Sequence, residues 1–318
     1  MYQVRSQKVD NFEFLSMHAP DDRVRCSINP NYGANLFSLE IKLDNQFVQL
    51  IDGYQSPTEF KANEGFKSGK LIPFPNRIKH GKYTFNDQAY QLGINFPGQG
   101  HAIHGLIYDS VYQAVHQQNG ADRAILELTT HFDGVAAYPF TFSCSQRFEL
   151  TKKGLSIQTT VENNGSSALP FGDGWHPYFC FGSTSVNELE LKIPKCQQIE
   201  VDATMIPTGK LLEFNDFQAL QALNAQEFDT GFVVDVSEDQ VATDLHHPLT
   251  GLQLSVWQDA NYPYLQIYTP PHRQSIAIEP MSCATDAFNN GQGLIVLEPG
   301  AQFTGQYGIQ IGYPMTMK

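Results

Sequence analysis

Five short segments combine ionisable side chains with turn residues and aromatics. They are Pro75-Asn76-Arg77-Ile78, His101-Ala102-Ile103-His104-Gly105, Gly174-Trp175-His176-Pro177-Tyr178-Phe179, Phe228-Asp229-Thr230-Gly231-Phe232 and Ile276-Ala277-Ile278-Glu279-Pro280. Glu279 is the most informative residue among them. The proline that follows disfavours helix and holds Glu279 extended. Strand parity then puts Ser275, Ala277 and Glu279 on one face and Ile276 and Ile278 on the other. A carboxylate among small residues, flanked by β-branched packing, suggests a cleft. The plainer reading is a strand-end Glu paired with a nearby Arg such as Arg273. His176 lies between Trp175 and Pro177-Tyr178-Phe179. Imidazole exchanges protons near neutral pH, so a carboxylate and a histidine together suit general acid–base work. The plainer reading is a core histidine satisfied by one backbone bond. Asn76 offers both donors and an acceptor, which suits hydroxyl groups. Its neighbour Arg77 could equally be a structural ion-pair partner, and Asp229 could cap a turn before Phe232-Val233-Val234.

His101 and His104 are three residues apart. A metal site would need a third ligand, for which Asp109 or His80 could be proposed, but nothing fixes the spacing and no metal is expected. There is no G-x-S-x-G elbow, no Walker A loop and no G-x-G-x-x-G after a strand. The Gly98-Gln99-Gly100 turn is too short and polar to be a dinucleotide fingerprint.

The elements that must position these residues are strands. From Phe140 to Leu150 the even positions are mostly apolar and the odd ones polar, as a half-buried strand requires. Thr151-Lys152-Lys153-Gly154 supplies a turn, and Leu155, Ile157, Thr159 and Val161 then alternate with polar residues. This predicts a hairpin. Leu252, Leu254 and Val256 alternate in the same way, and Phe303, Tyr307, Ile309 and Ile311 share a face. Tyr83 to Leu92, with Asn86-Asp87 in the middle, reads as another hairpin. Phe217 to Ala225 is the best helix candidate. Many strands with Gly, Pro and Asn turns predict an all-β chain, a sandwich or barrel, expected to form one domain over residues 1–318.

With 20 Lys and Arg against 33 Asp and Glu, the formal charge is −13. That balance argues against nucleic acid and against anionic membranes. Five widely spaced cysteines without a C-x-x-C argue against a disulfide framework or a structural zinc site. Met1 to Pro20 lacks the apolar core of a signal peptide, and there is no apolar run long enough to span a bilayer, so a reducing cytoplasm is expected.

In this order, the five segments resemble the aldose 1-epimerase (galactose mutarotase) family. The resemblance runs from Asn31-Tyr32-Gly33-Ala34 to Leu297-Glu298-Pro299-Gly300. It implies a large antiparallel β-sandwich with a sugar cleft on one sheet. By motif, Glu279 resembles the catalytic base, His176 the catalytic acid and His104 the second active-site histidine. Arg77 and Asp229 resemble residues that hold sugar hydroxyls. Gln266, in Pro263-Tyr264-Leu265-Gln266-Ile267-Tyr268-Thr269, matches another sugar contact, and Asn76 joins them by adjacency. The implied reaction opens and recloses a free aldohexose between an ionised Glu279 and a protonated His176. It needs no metal or organic cofactor, and a monomer or homodimer suffices. His104-Gly105 is followed by Leu106, where many members carry a second Gly. Two other classes fit the same residues: a non-catalytic carbohydrate-binding sandwich, and an epimerase of a phosphorylated or sulfonated hexose. The latter calls for extra cations, and Arg273 and Lys79 lie near the motifs without forming an obvious clamp.

Overall fold

The computed structural model describes residues 1–9, 12–237 and 240–313. Its architecture is all-β, with two short α-helices, Pro57–Ala62 and Ala287–Asn290, among the described residues. Three large antiparallel sheets carry most of the strands. The N-terminal sheet is a simple meander of Gln3–Val9, Phe12–His18, Val24–Asn29, Asn35–Leu43 and Gln46–Gln49. A nine-stranded sheet holds the predicted hairpin at its centre, as Phe142–Thr151 and Gly154–Asn163. The turn is Lys152-Lys153, and Gly154 closes it at φ 135°. The last described strand, Gln302–Gly312, is inserted between Gly154–Asn163 and Leu252–Asp259.

Alternation explains these strands. Phe142, Cys144, Gln146, Phe148 and Leu150 are buried, while the odd-numbered residues between them stay partly accessible. Each such fully buried side chain contributes about 1.5–3 kcal/mol relative to an exposed one. The short hairpin at Lys82–Phe85 and Gln88–Gln91 turns at Asn86-Asp87, both at positive φ, as the sequence predicts. Phe217 to Ala225 is not a helix. Phe217 and Asn224 adopt positive φ, and only Gln221–Ala222 is regular, as a strand beside Glu190–Lys192. The apolar residues there are anchors rather than a helical stripe. Phe217 packs on Phe228 and Leu223 is buried, but Leu220 between them faces solvent.

The third sheet positions the site. Its strand order is Tyr178–Phe179, Ile276–Met281, Tyr264–Tyr268, Asp229–Val234, Cys196–Val201 and Pro207–Phe214. Two small ladders complete it: Gly69–Lys70 with Trp175–His176, and Arg77–Ile78 with Ala102–Ile103.

Behind the site, Lys70 and Asp173 are fully buried. The Lys70 ammonium lies 2.6 Å from Asp173 Oδ1 and donates to Asp173 Oδ2, Thr159 Oγ1 and Tyr307 OH at 2.7, 2.7 and 3.0 Å. Tyr262 OH donates to the same carboxylate at 2.7 Å. Burial alone pulls the ammonium pKa down, but Asp173 and its other neighbours outweigh this and raise it, so the lysine stays charged. This cluster ties the nine-stranded sheet to the strand of His176, whose neighbour Trp175 stacks on Tyr307.

Candidate active site

Register brings the predicted residues together. Tyr178 pairs with Ala277, and Gly174 bridges to Met281. Both pairings share one register, so His176 stands opposite Glu279. On the other side of Glu279 the ladder continues to Gln266 and then Gly231. The adjacent row on the same face runs Tyr178, Ala277, Tyr268 and Asp229. Side chains two apart on a strand share a face, so both rows look into one cleft. Ala277 and Gly231 hollow its floor; a Cβ on Gly231 would lie 3.1 Å from Gln266 Oε1.

The facing wall comes from the ladder of Arg77 and Ile103. His104 and Asn76 both have positive φ, at 63° and 56°. They hold each other: His104 N donates to Asn76 O at 2.9 Å, and Asn76 N donates to His104 Nδ1 at 3.3 Å. Nδ1 therefore accepts, which leaves the proton of a neutral ring on Nε2. The glycine of the His-Gly motif follows from the same geometry. Gly105 has φ 75°, and a Cβ there would overlap the Ile72 carbonyl.

The resulting cleft has a volume of about 430 Å³ and is lined by all seven predicted residues: Asn76, Arg77, His104, His176, Asp229, Gln266 and Glu279. His176 Nε2 lies 3.4 Å from Glu279 Oε1, and both side chains are almost wholly buried. His176 Nδ1 and Glu279 Oε2 have no hydrogen-bond partner within the described protein. Arg77 donates to Gln99 Oε1 and Asn76 Oδ1, each at 2.7 Å. Asp229 accepts from Gln266 Nε2 at 2.8 Å. Arg273 is engaged elsewhere, donating to Asn187 Oδ1 and the carbonyls of Gln226 and Asn224. The strand-end pairing of Glu279 with Arg273 therefore does not form.

Burial governs the protons. It pushes the Glu279 carboxyl well above the carboxylate range. The Asp229 charge adds to this, and Arg77 opposes it. Burial pushes the His176 imidazole down to about 3. Burial therefore favours a neutral pair, with the proton on Glu279. This is the reverse of the ionised Glu279 and protonated His176 expected from the sequence. His104 is also held neutral, by burial and by the neighbouring His176 and Arg77. Asp229 is raised by burial, against Arg77 and the Gln266 bond.

His101 does not join the cleft. Its Nδ1 accepts from His80 N at 3.0 Å and its Nε2 lies 3.1 Å from Thr204 O, so it fastens two loops. Among the described residues no cluster of three or more His, Cys, Asp or Glu side chains could hold a metal.

The model of the aldose 1-epimerase family matches residues 19–310. The chain belongs to the aldose 1-epimerase family. Among its relatives, the uncharacterised YihR of Escherichia coli is 34% identical over 237 residues, covering 72% of this chain and 74% of YihR. Galactose mutarotase of Sus scrofa is 24% identical over 280 residues, covering 82% and 77%. Among solved structures, a galactose mutarotase-like protein from Clostridium acetobutylicum superimposes with a TM-score of 0.88 at 21% identity, covering 98% of this chain and 99% of that one. Galactose 1-epimerase from Lactobacillus acidophilus gives 0.80 at 20% identity, covering 98% and 99%. These likenesses place the sheets above in the galactose mutarotase-like fold.

In this family member the cleft also holds residues that the motif argument did not assign. Tyr178 stacks on His176 with ring centroids 4.9 Å apart, and Tyr268 meets Tyr178 edge-on at 6.4 Å. Each is two residues beyond an assigned side chain, His176 or Gln266, so strand parity alone points to them. Phe66, Phe96 and Gln99 line the cleft from loops, where no such periodicity exists. Phe66 packs on His104 at 4.8 Å.

Proposed function

We propose that the cleft interconverts the α and β anomers of a neutral aldohexose by acid–base ring opening and reclosure, with Glu279 as base and His176 as acid. The observation that carries this reading is the buried Glu279–His176 contact at 3.4 Å in a cleft large enough for a small ligand. Proton transfer across that contact turns the neutral pair into carboxylate and imidazolium, a change the Arg77 charge favours at Glu279. The carboxylate takes the proton of the anomeric hydroxyl. The imidazolium protonates the ring oxygen as the C1–O5 bond breaks, with its electrons leaving on O5 and a C1=O1 carbonyl forming. Rotation about C1–C2 presents the other face. The ring oxygen then attacks, returns its proton to His176, and O1 recovers the proton from Glu279. The cycle consumes nothing. Asn76, Arg77, His104, Asp229 and Gln266 offer the donors and acceptors to hold hydroxyls, and Tyr178 and Tyr268 offer ring faces.

A neutral sugar is favoured over a phosphorylated or sulfonated one. Arg77 is the one Lys or Arg lining the cleft among the described residues, and Asp229 and Glu279 oppose it. Lys79 does not line the cleft, and Arg273 is bonded elsewhere. A cytoplasmic setting is part of the reading, supported by five cysteines that are all free and buried. The test is anomer exchange in freshly dissolved aldoses, followed by polarimetry or NMR, with wild type and Glu279→Gln. Acceleration with a neutral hexose that the variant loses is the expected result. Acceleration with anionic hexoses alone would replace the substrate assignment. Sugar binding without acceleration would replace the enzyme by a binding protein.

A further inference from the structure

A second cleft, of about 340 Å³, opens on the N-terminal sheet, away from the face that carries Glu279. Its floor is set by register. Ser16 pairs with Ser27 and Ser27 with Ser38, so three serines cross three strands in one row. The next row runs His18, Arg25, Glu40 and Gln49. Serines where larger residues would fit are what leave the hollow.

A β-bulge shapes one wall. The pairing of Val24–Asn29 with Asn35–Leu43 slips between Ser27 and Ile28, leaving Phe37 as the extra residue. Neighbouring residues on a regular strand point to opposite faces, yet Phe37 and Ser38 both line this cleft. The bulge has turned the ring towards the serines. Phe37 stacks on Phe60 at 5.8 Å and meets Phe14 at 4.6 Å, giving an aromatic wall.

The polar groups are of two kinds. The charged ones are already paired: Arg25 donates to Glu40 at 2.7 and 3.0 Å, and His18 Nδ1 lies 2.7 Å from Asp22. The hydroxyls of Ser27 and Ser38 make no hydrogen bond to the described residues and open onto the cleft, Ser38 with only 5% of the residue exposed. A hydroxyl that lines a cavity without a protein partner is free to bond a ligand there. Paired charges remove the reason for an anion or cation to bind. The serine floor disfavours a purely apolar guest. The size is that of a small-molecule site, well short of a protein interface. Open hydroxyls beside the half-buried Phe37 ring, with no unpaired charge, fit a polyhydroxylated neutral molecule.

We propose that this cleft is a second carbohydrate site, which binds a neutral saccharide separately from the acid–base cleft. The assignment does not rest on the epimerase reading. The two clefts share no lining residue. Gln55, Ser56 and Phe60 line the second, and Gly65 and Phe66, a few residues on, line the first.

The test uses methyl α-glucoside, methyl β-galactoside, methyl α-maltoside and methyl β-lactoside, whose locked anomeric centres prevent turnover. Binding is measured by calorimetry and ligand-observed NMR on wild type, Ser38→Phe and Arg77→Ala. Ser38→Phe fills the second cleft, and Arg77→Ala disables the first. The expected result is a binding step that survives Arg77→Ala and is lost in Ser38→Phe, with the mutarotation rate of Ser38→Phe unchanged. Should Ser38→Phe fail to fold, Ser27→Leu, at a half-buried position of the same row, serves the same purpose. The proposal is overturned if no glycoside binds to Arg77→Ala, or if binding to that variant is insensitive to filling the serine row. It is also overturned if wild type sediments as a dimer that the filling variant dissociates, which would assign the cleft to a second copy of the chain.

Discussion

Burial leaves the Glu279–His176 pair with one proton, held on Glu279, and this fixes the pH dependence at the residue scale. The expectation from ordinary pKa values is that acid silences Glu279 and alkali silences His176. Burial exchanges these roles. The productive state is the pair with one proton. It is lost on the acidic side when His176 takes up a second proton, near 3, and on the alkaline side when Glu279 loses the last one, above its ordinary range. The two apparent values belong to the pair. The profile of kcat/KM should therefore hold down to low pH. An acidic limb near the unperturbed imidazole value of about 6.5 would sink the neutral-pair account. Glu279→Gln should lower kcat by about 10²–10⁴-fold, the span of one general acid–base partner, with KM little changed. A polarimetric assay with kcat within a few-fold of wild type would remove Glu279 from the base role. The types of these residues were legible in the sequence because proton exchange needs particular side chains. Their proton states were not, because desolvation depends on what covers them.

At the scale of elements, the strand of His176 is held by backbone and side chain together. Asp173 N donates to Ser282 Oγ and Ser282 N to Asp173 O, both at 2.8 Å, which fastens this strand to that of Glu279. The Asp173 side chain meets Lys70, whose own residue pairs with Trp175. Removing one partner of a buried ion pair leaves a bare charge. Lys70→Met should therefore cost about 3–5 kcal/mol, and the double variant Lys70→Met/Asp173→Leu should recover much of it. Denaturant titration of wild type and the two variants reads both, and a double variant no more stable than the single would contradict the argument. Gly105→Ala should cost about 1–3 kcal/mol through positive φ and overlap with Ile72, and a Tm equal to wild type would refute it. The elements differ in how visible they were. The hairpin around Lys152-Lys153 alternates over ten residues on each side, so its parity is unmistakable. The helix expected at Phe217 to Ala225 failed because, of three apolar residues at helical spacing, Phe217 and Leu223 serve as loop anchors and Leu220 faces solvent. Register was invisible throughout. Nothing local says that His176 faces Glu279 or that three serines align, since both depend on which strands pair.

For the whole molecule, the same pair sets where stability peaks. Folded, it keeps one proton from about 3 to beyond the carboxylate range. Unfolded, the groups titrate at their ordinary values of 4.5 and 6.5. Below 4.5 the unfolded chain binds more protons, so this contribution to stability rises with pH. At higher pH, where the unfolded imidazole has released its proton and folded Glu279 still holds its own, the unfolded chain holds fewer and the contribution falls. Glu279→Gln/His176→Asn should flatten this dependence. Equal Tm differences between wild type and the double variant at every pH would count against it. The position of Gln302–Gly312 has a different consequence. That strand closes the gap between Gly154–Asn163 and Leu252–Asp259, so the nine-stranded sheet has two raw edges until it arrives. On the ribosome, the strands on either side of it wait as two unjoined half-sheets until residues 302–312 emerge. Until then the nascent chain presents two open edges to aggregation, and shelter matters most in that interval.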